Sequence, residues 1–278
     1  MRTPRNLGLT PQANQGQFWA NGHVRIARNW PACRQADYPK VAVGWRADIY
    51  PLSSAMITSA PSILLDLDGT LVDSSPGILA SCQAALRALG HLPDGLDISN
   101  LIGPPLEDVL ADVLRRFGDD RIAEAVMAYR DHYGKEGFRE TTLYPGIVAA
   151  LEQLLALNVK LYIATSKRRV FAEQILQHLG LAALFAGVHG SEPGGAIDRK
   201  SDLIAHVLQL HGLSAKHSLM VGDRRHDAEG ARANNVSTIG VLWGYGDRAE
   251  LQDAGVMYFA ERPQELRPIM DAWLGSLT

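Results

Sequence analysis

Four short runs of nearly unbroken apolar residues mark the chain: Ile63-Leu64-Leu65 and residues 159–164, 218–221 and 238–243. Each is followed by small or polar residues and then by a helical pattern. A run without polar positions reads as a strand buried on both faces, because successive side chains point to opposite sides of a sheet. Between the runs, apolar residues recur at helical spacing. Ile147, Leu151, Leu154 and Leu155 share one face, as do Leu203, Ile204, Val207 and Leu208. Buried strands alternating with amphipathic helices predict an α/β fold with a parallel sheet flanked by helices.

Residues 76–143 break this rhythm. They hold three helical patterns, at 77–89, 105–117 and 119–133, and no expected strand. In the third, Ile122, Val126, Tyr129 and Tyr133 follow the spacing of one buried stripe. Met127 is expected with the two tyrosines in a helical core. An all-helical insert after the first strand would sit above that strand's carboxyl end, where open α/β sheets bind ligands. The expected organisation is therefore a poorly ordered N-terminal extension (1–57), an α/β core (58–75 and 144–278) and a helical cap (76–143).

Charge supports the first boundary. Residues 1–55 carry seven basic residues, six of them arginine, against Asp37 and Asp48. They show no sustained period, and no apolar stretch or serine content suited to a targeting signal. Met56 stands just before the first strand as a second possible start. The whole chain has 278 residues and a formal net charge of -3, which does not describe a nucleic-acid binder. Two cysteines, Cys33 and Cys82, cannot build a disulfide framework or a cysteine-rich zinc site. No apolar run approaches the roughly 20 residues that span a bilayer. The expectation is a cytoplasmic protein whose partner is a small molecule, with its oligomeric state open.

Carboxylates at strand ends carry the chemistry. Asp66 and Asp68 follow the first apolar run, two residues apart, so their side chains leave one face. Asp223 stands where the 218–221 run stops, and Asp227 opens the following helix. If these strands are neighbours, the carboxylates converge and repel, and a hard divalent cation such as Mg²⁺ would resolve the conflict. Thr165 and Ser166 end another strand, and Lys200 begins another helix. Hydroxyls, helix N-terminal amides and a lysine are the parts that hold a phosphate.

The segment from Asp66 to Ser74, Asp66-Leu67-Asp68-Gly69-Thr70-Leu71-Val72-Asp73-Ser74, closely resembles the first motif of the haloacid dehalogenase (HAD) superfamily. Thr165-Ser166-Lys167 is similar to its second motif, Lys200 to its third, and Gly222-Asp223-Arg224-Arg225-His226-Asp227 to its fourth. The resemblance implies a HAD-like Rossmannoid core with an inserted helical cap. It also implies a Mg²⁺-dependent phosphomonoesterase. Asp66 would be the nucleophile and Asp68 the acid and base. Thr165, Ser166 and Lys200 would hold the phosphoryl group. Asp66, the carbonyl of Asp68, Asp223 and Asp227 would hold the metal. Asp68 disfavours dehalogenation, because the dehalogenases lack that second acid.

Residues 102–106, 143–146 and 240–246 resemble the phosphoglycolate phosphatase branch, which includes 5'-nucleotidases. The Gly103-Pro104-Pro105 turn is the expected specificity loop. The expected substrate is 2-phosphoglycolate, then a nucleoside 5'-monophosphate; a sugar-phosphate mutase and a phosphometabolite-binding module are the alternatives. His226 is expected on a helix surface and Cys82 as a buried small residue. Arg139, Arg224 and Arg225 are either readers of a second anionic group or surface charges. The glycines of 190–195 lack the lysine of a phosphate-binding loop, and the G-x-G-x-x-A of 244–249 comes too late in the chain for a dinucleotide site.

Overall fold

A computed structural model describes residues 60–93, 95, 102, 105–192, 195 and 197–277. The expected extension at 1–57 and the expected loop residues Gly103 and Pro104 lie outside the described residues.

Six parallel strands form the main sheet: β1 (Ser62–Leu65), β4 (Lys160–Arg168), β5 (Gly187–Ser191), β6 (Ser218–Gly222), β7 (Ser237–Val241) and β8 (Tyr258–Ala260). They lie in the order β5-β4-β1-β6-β7-β8. The sheet is covered on both faces, which is why Ile63-Leu64-Leu65 of β1 has no polar position. Ile63 and Leu65 face one side, where α4 (Ile147–Leu155), α5 (Arg169–His178) and α9 (Leu266–Gly275) supply Leu151, Leu154, Ile175, Met270 and Trp273. Leu64 faces the other side, against Leu203, Ile204 and Val207 of α6 (Lys200–His211) and Ala231 of α7 (Arg225–Ala233).

The expected insert is a separately packed group of helices. α1 (Ser75–Ala88), α2 (Leu106–Arg115) and α3 (Ile122–Lys135) enclose an apolar cluster of their own, including Cys82, Leu86, Leu110, Leu114, Tyr129 and Tyr133. Met127 does not join it. Its side chain is 64% exposed, because it follows Val126 directly and so turns about 100° away from the Val126–Tyr129–Tyr133 stripe.

The strands depart from expectation at four places. The stretch expected to contain no strand ends in β3 (Thr142–Leu143), which pairs antiparallel with β2 (Val72–Asp73). That pairing ties the chain's entry into the helical group to its exit. β4 runs on to Arg168, so Thr165 and Ser166 lie inside a strand rather than at its end. Its register with β5 breaks between Ala164 and Arg168, which frees the intervening residues from the regular ladder. β5 and β8 are strands that the apolar pattern does not announce. The 238–243 run leaves the sheet after Val241, and the indole N–H of Trp243 donates to the Thr70 carbonyl at 2.9 Å.

Candidate active site

The register of β1 brings the acids together. Leu65 pairs with Ile163 on one side and Val221 on the other, so the residues that follow emerge together at the carboxyl end of the sheet. Asp66, Asp223 and Asp227 each offer a carboxylate oxygen, and these oxygens lie within 4.8 Å of one another. All three residues are buried.

The surroundings of each acid differ. Asp223 accepts the Tyr245 amide at 2.8 Å and the Thr70 hydroxyl at 3.2 Å. Burial pushes its pKa up to about 8, with Asp227 and Asp66 adding repulsion that those two donors only partly offset. Asp227 accepts the Arg224 amide at 3.1 Å at the start of α7 and meets the Lys200 ammonium at 2.6 Å. Burial and Asp66 raise its pKa, while Lys200 opposes them. Lys200, the first residue of α6, also lies 2.8 Å from Asp66. Burial works against its charge, but Asp227 and Asp66 outweigh that and hold its pKa above the ordinary lysine range.

Gly69 lets this arrangement close. Its backbone is left-handed, with φ at 82°, and a Cβ there would overlap the Asp223 carboxylate. The glycines of 244–249 serve the same site. The Gly244–Gly246 turn is wrapped against Asp223 and aims the Tyr245 amide at its carboxylate, which fits a structural role rather than a dinucleotide one. The Tyr245 hydroxyl bridges Asp73 and the Ser74 amide at 2.9 Å each.

Three carboxylates against one ammonium leave a buried excess of negative charge. That donor set, all oxygen and closely spaced, fits a hard divalent cation. The side chain of Asp68 is not among the three.

Asp68 has a different environment. Its Oδ2 lies 3.0 Å from the Lys167 ammonium, and its buried Oδ1 has no hydrogen-bond partner among the described residues. Both acids line a cavity of about 860 Å³ together with Thr165, Ser166 and Lys200. Thr165 is buried and Ser166 exposed to the cavity. Its apolar lining comes from the helical group and α5, with Ile78, Leu106, Tyr129, Tyr133 and Phe171, and its charged lining includes Glu107, Arg130, Arg168, Glu192 and Arg199.

Of the residues expected to form one site, Asp66, Asp68, Thr165, Ser166, Lys200 and Asp227 line one cavity, and Asp223 lies buried beside it in the acid cluster. Lys167, Thr70 and Tyr245 have no role legible in the sequence, since Lys167 meets Asp68, Thr70 meets Asp223 and Tyr245 meets Asp73 across long stretches of chain that follow no local spacing. Tyr129 and Tyr133 belong both to the helical core and to the cavity wall. His226 is exposed, Cys82 is fully buried and its thiol is pushed up to about 12 by burial. Arg224 pairs with Glu250 at 2.9 Å and donates to the Ile102 carbonyl, so its charge is already engaged. Among the described residues no helix is long and apolar enough to cross a membrane.

Comparison with known proteins gives this geometry its family. The haloacid dehalogenase-like hydrolase family matches residues 63–241. A 5'-nucleotidase of Pseudomonas aeruginosa is 40% identical over 215 residues, which cover 76% of this chain and 96% of its own. A phosphoglycolate phosphatase of Neisseria gonorrhoeae is 32% identical over 203 residues, 70% of this chain and 85% of its own. The solved structure of Mycobacterium tuberculosis protein tyrosine kinase A superposes with a TM-score of 0.63 at 37% identity, covering 76% of this chain and 98% of that one. The protein belongs to the haloacid dehalogenase-like hydrolase family, and within it is a phosphoric monoester hydrolase.

Proposed function

We propose that the protein hydrolyses phosphomonoesters by transferring the phosphoryl group to Asp66 and then to water, with a nucleoside 5'-monophosphate as the preferred substrate class. The observation that carries this reading is the contrast between the two acids. Asp66 sits with the acid cluster and Lys200, whereas Asp68 stands apart on the cavity lining, paired with Lys167. A nucleophile needs charge compensation so that a dianion can approach it, and an acid needs to stand within reach of the leaving group.

In this mechanism Asp66 attacks phosphorus while Asp68 gives a proton to the departing oxygen. Asp68 then takes a proton from the water that cleaves the aspartyl-phosphate. Thr165, the Ser166 amide and Lys200 hold the phosphoryl oxygens throughout. Asp66, Asp223 and Asp227, with the carbonyl of Asp68, would hold Mg²⁺, which when bound supplies further charge neutralisation at the phosphoryl group.

The cavity orders the substrates. At about 860 Å³ it lies toward the upper end of ligand pockets, roughly 300–1,000 Å³, and its far wall is aromatic and aliphatic. A nucleoside would cover Leu106 and Phe171, the half-buried apolar residues of that wall, and remove apolar surface from water. Phosphoglycolate, a two-carbon acid, would leave that wall wet. It remains the second reading, on the strength of the likeness to the N. gonorrhoeae phosphoglycolate phosphatase.

The test is phosphate release from nucleoside 5'-monophosphates, 2-phosphoglycolate, sugar phosphates and phosphotyrosine, with and without Mg²⁺, beside Asp66→Asn. The expected result is Mg²⁺-dependent turnover, lost in Asp66→Asn, with kcat/KM highest for a nucleoside monophosphate. A higher kcat/KM for phosphoglycolate would overturn the substrate order. Turnover no greater than that of Asp66→Asn on every compound would overturn the mechanism.

A further inference from the structure

The two buried lysines of the site divide the acids between them. Lys200 holds Asp66 and Asp227, while Lys167 has Asp68 as its ion-pair partner among the described residues. Lys167 follows Ser166 in the part of β4 where the ladder with β5 is interrupted, and its amide donates back to the Thr165 hydroxyl at 3.2 Å. The turn brings its side chain inward until only 9% of it is exposed. Gly190 of β5 permits this path, because a Cβ there would strike the Lys167 carbonyl. The glycine that looked like part of a failed phosphate loop thus makes room for the backbone of Lys167.

A second contact comes from the helical group. The ammonium of Lys167 lies 4.6 Å from the centre of the Tyr133 ring, which packs edge-on against Phe171 of α5 at 5.2 Å. Tyr133 is 1% exposed, so it shields the Lys167–Asp68 pair from water. Burial alone would discharge the lysine; Asp68 and Tyr133 outweigh it and raise its pKa.

We propose that Lys167 is the positioning residue for the acid, fixing the Asp68 side chain through its ion pair to Oδ2, with Tyr133 of α3 as the roof that completes the clamp. The inference rests on the reading of Asp68 as acid and base. In the first half-reaction the bond from Asp66 to phosphorus forms as the ester P–O bond breaks. The electron pair stays on the leaving oxygen, which takes its proton from Asp68 while Lys167 holds that side chain in place. Because Tyr133 belongs to the helical group and Lys167 to the sheet, the clamp is complete only when α3 lies over β4.

Single-turnover release of the leaving group, with enzyme in excess, tests this on two substrates. p-Nitrophenyl phosphate leaves as a stable phenolate and needs little protonation; adenosine 5'-monophosphate leaves as an alkoxide and needs it. Lys167→Met should slow adenosine release by about 10²-fold, within the range of general acid catalysis. It should slow nitrophenol release by less than about tenfold, a smaller share of the same effect. Half-saturation should stay near the wild-type value. Asp68→Asn should show the same pattern, and the double variant should be no slower than Asp68→Asn alone. Lys167→Arg should recover part of the loss, and Tyr133→Leu should show a milder form of it. Equal slowing of both substrates by Lys167→Met with weakened saturation would make Lys167 a phosphoryl ligand and overturn the proposal. So would unchanged rates. If Asp68→Asn itself slowed both substrates equally, the acid assignment would fail first, separately from the role of Lys167.

Discussion

Asp223 illustrates how much of this site is decided by single residues. Its carboxylate is buried with two other acids nearby, and the donors that reach it come from Thr70 and Tyr245. Gly69 is what lets Thr70 and the Gly244–Gly246 turn close on it from two sides. Gly69→Ala forces a side chain into a left-handed backbone, at about 1–2 kcal/mol, and into the Asp223 carboxylate. The expected outcome is a urea midpoint lowered by at least that cost and a turnover reduced by at least about tenfold, each 1.4 kcal/mol of displaced transition-state contact being one factor of ten. Unchanged stability and turnover would mean that the loop can re-form without its left-handed turn. The acids themselves are legible in the sequence, because a carboxylate after an apolar strand has few structural uses. The Lys167–Tyr133 and Tyr245–Asp223 contacts are not, because they depend on where distant elements meet.

At the scale of elements, legibility follows burial. β1, β4, β6 and β7 are readable because both faces are covered, so the run is apolar throughout. β5 reads Gly-Val-His-Gly-Ser and is only partly buried at the sheet edge, so it has neither a continuous apolar run nor a clear alternation. The same edge supplies a pH response. His189 of β5 and His211 at the end of α6 share a hydrogen bond between their Nε2 atoms at 2.9 Å, and Tyr162 lies against His211 at 4.5 Å between ring centres. Burial, then the neighbouring His211, His206 and Arg169, lower the His189 pKa to about 4. Between that value and the ordinary 6.5, the unfolded chain binds a proton that the folded one refuses. Stability from this group is therefore full above pH 6.5 and is lost as pH falls toward 4. His189→Asn should lower Tm at pH 7.5 by losing the shared hydrogen bond, yet fall less than the wild type between pH 7.5 and pH 5. Parallel Tm curves in calorimetry would show that the edge histidines do not titrate with folding.

For the whole molecule, the acid cluster ties stability to both protons and metal. The Asp223 pKa rises from 3.8 to about 8 on folding, so the metal-free folded state holds a proton that the unfolded chain has released. The sign is opposite to that of His189: the stability from Asp223 is present below pH 4 and is lost as pH rises through 8. Mg²⁺ held by these oxygens would compete with that proton, so its stabilising effect should grow over the same interval. A ligand that binds only the folded state adds RT ln(1 + [L]/Kd), about 2.7 kcal/mol at one hundred times Kd. Calorimetry at pH 6 and pH 8, in EDTA and in saturating Mg²⁺, should show a larger Mg²⁺-induced rise in Tm at pH 8. Asp223→Asn removes both the titrating group and a metal ligand, so it should flatten the metal-free Tm across that interval and sharply reduce the Mg²⁺ effect. An equal Mg²⁺ effect at both pH values, or one that survives in Asp223→Asn, would place the stabilising cation away from these three carboxylates. The expected pattern would instead tie catalysis and folding to the same buried charge: the acids that make the metal-free protein weakest at pH 8 are those through which Mg²⁺ strengthens it.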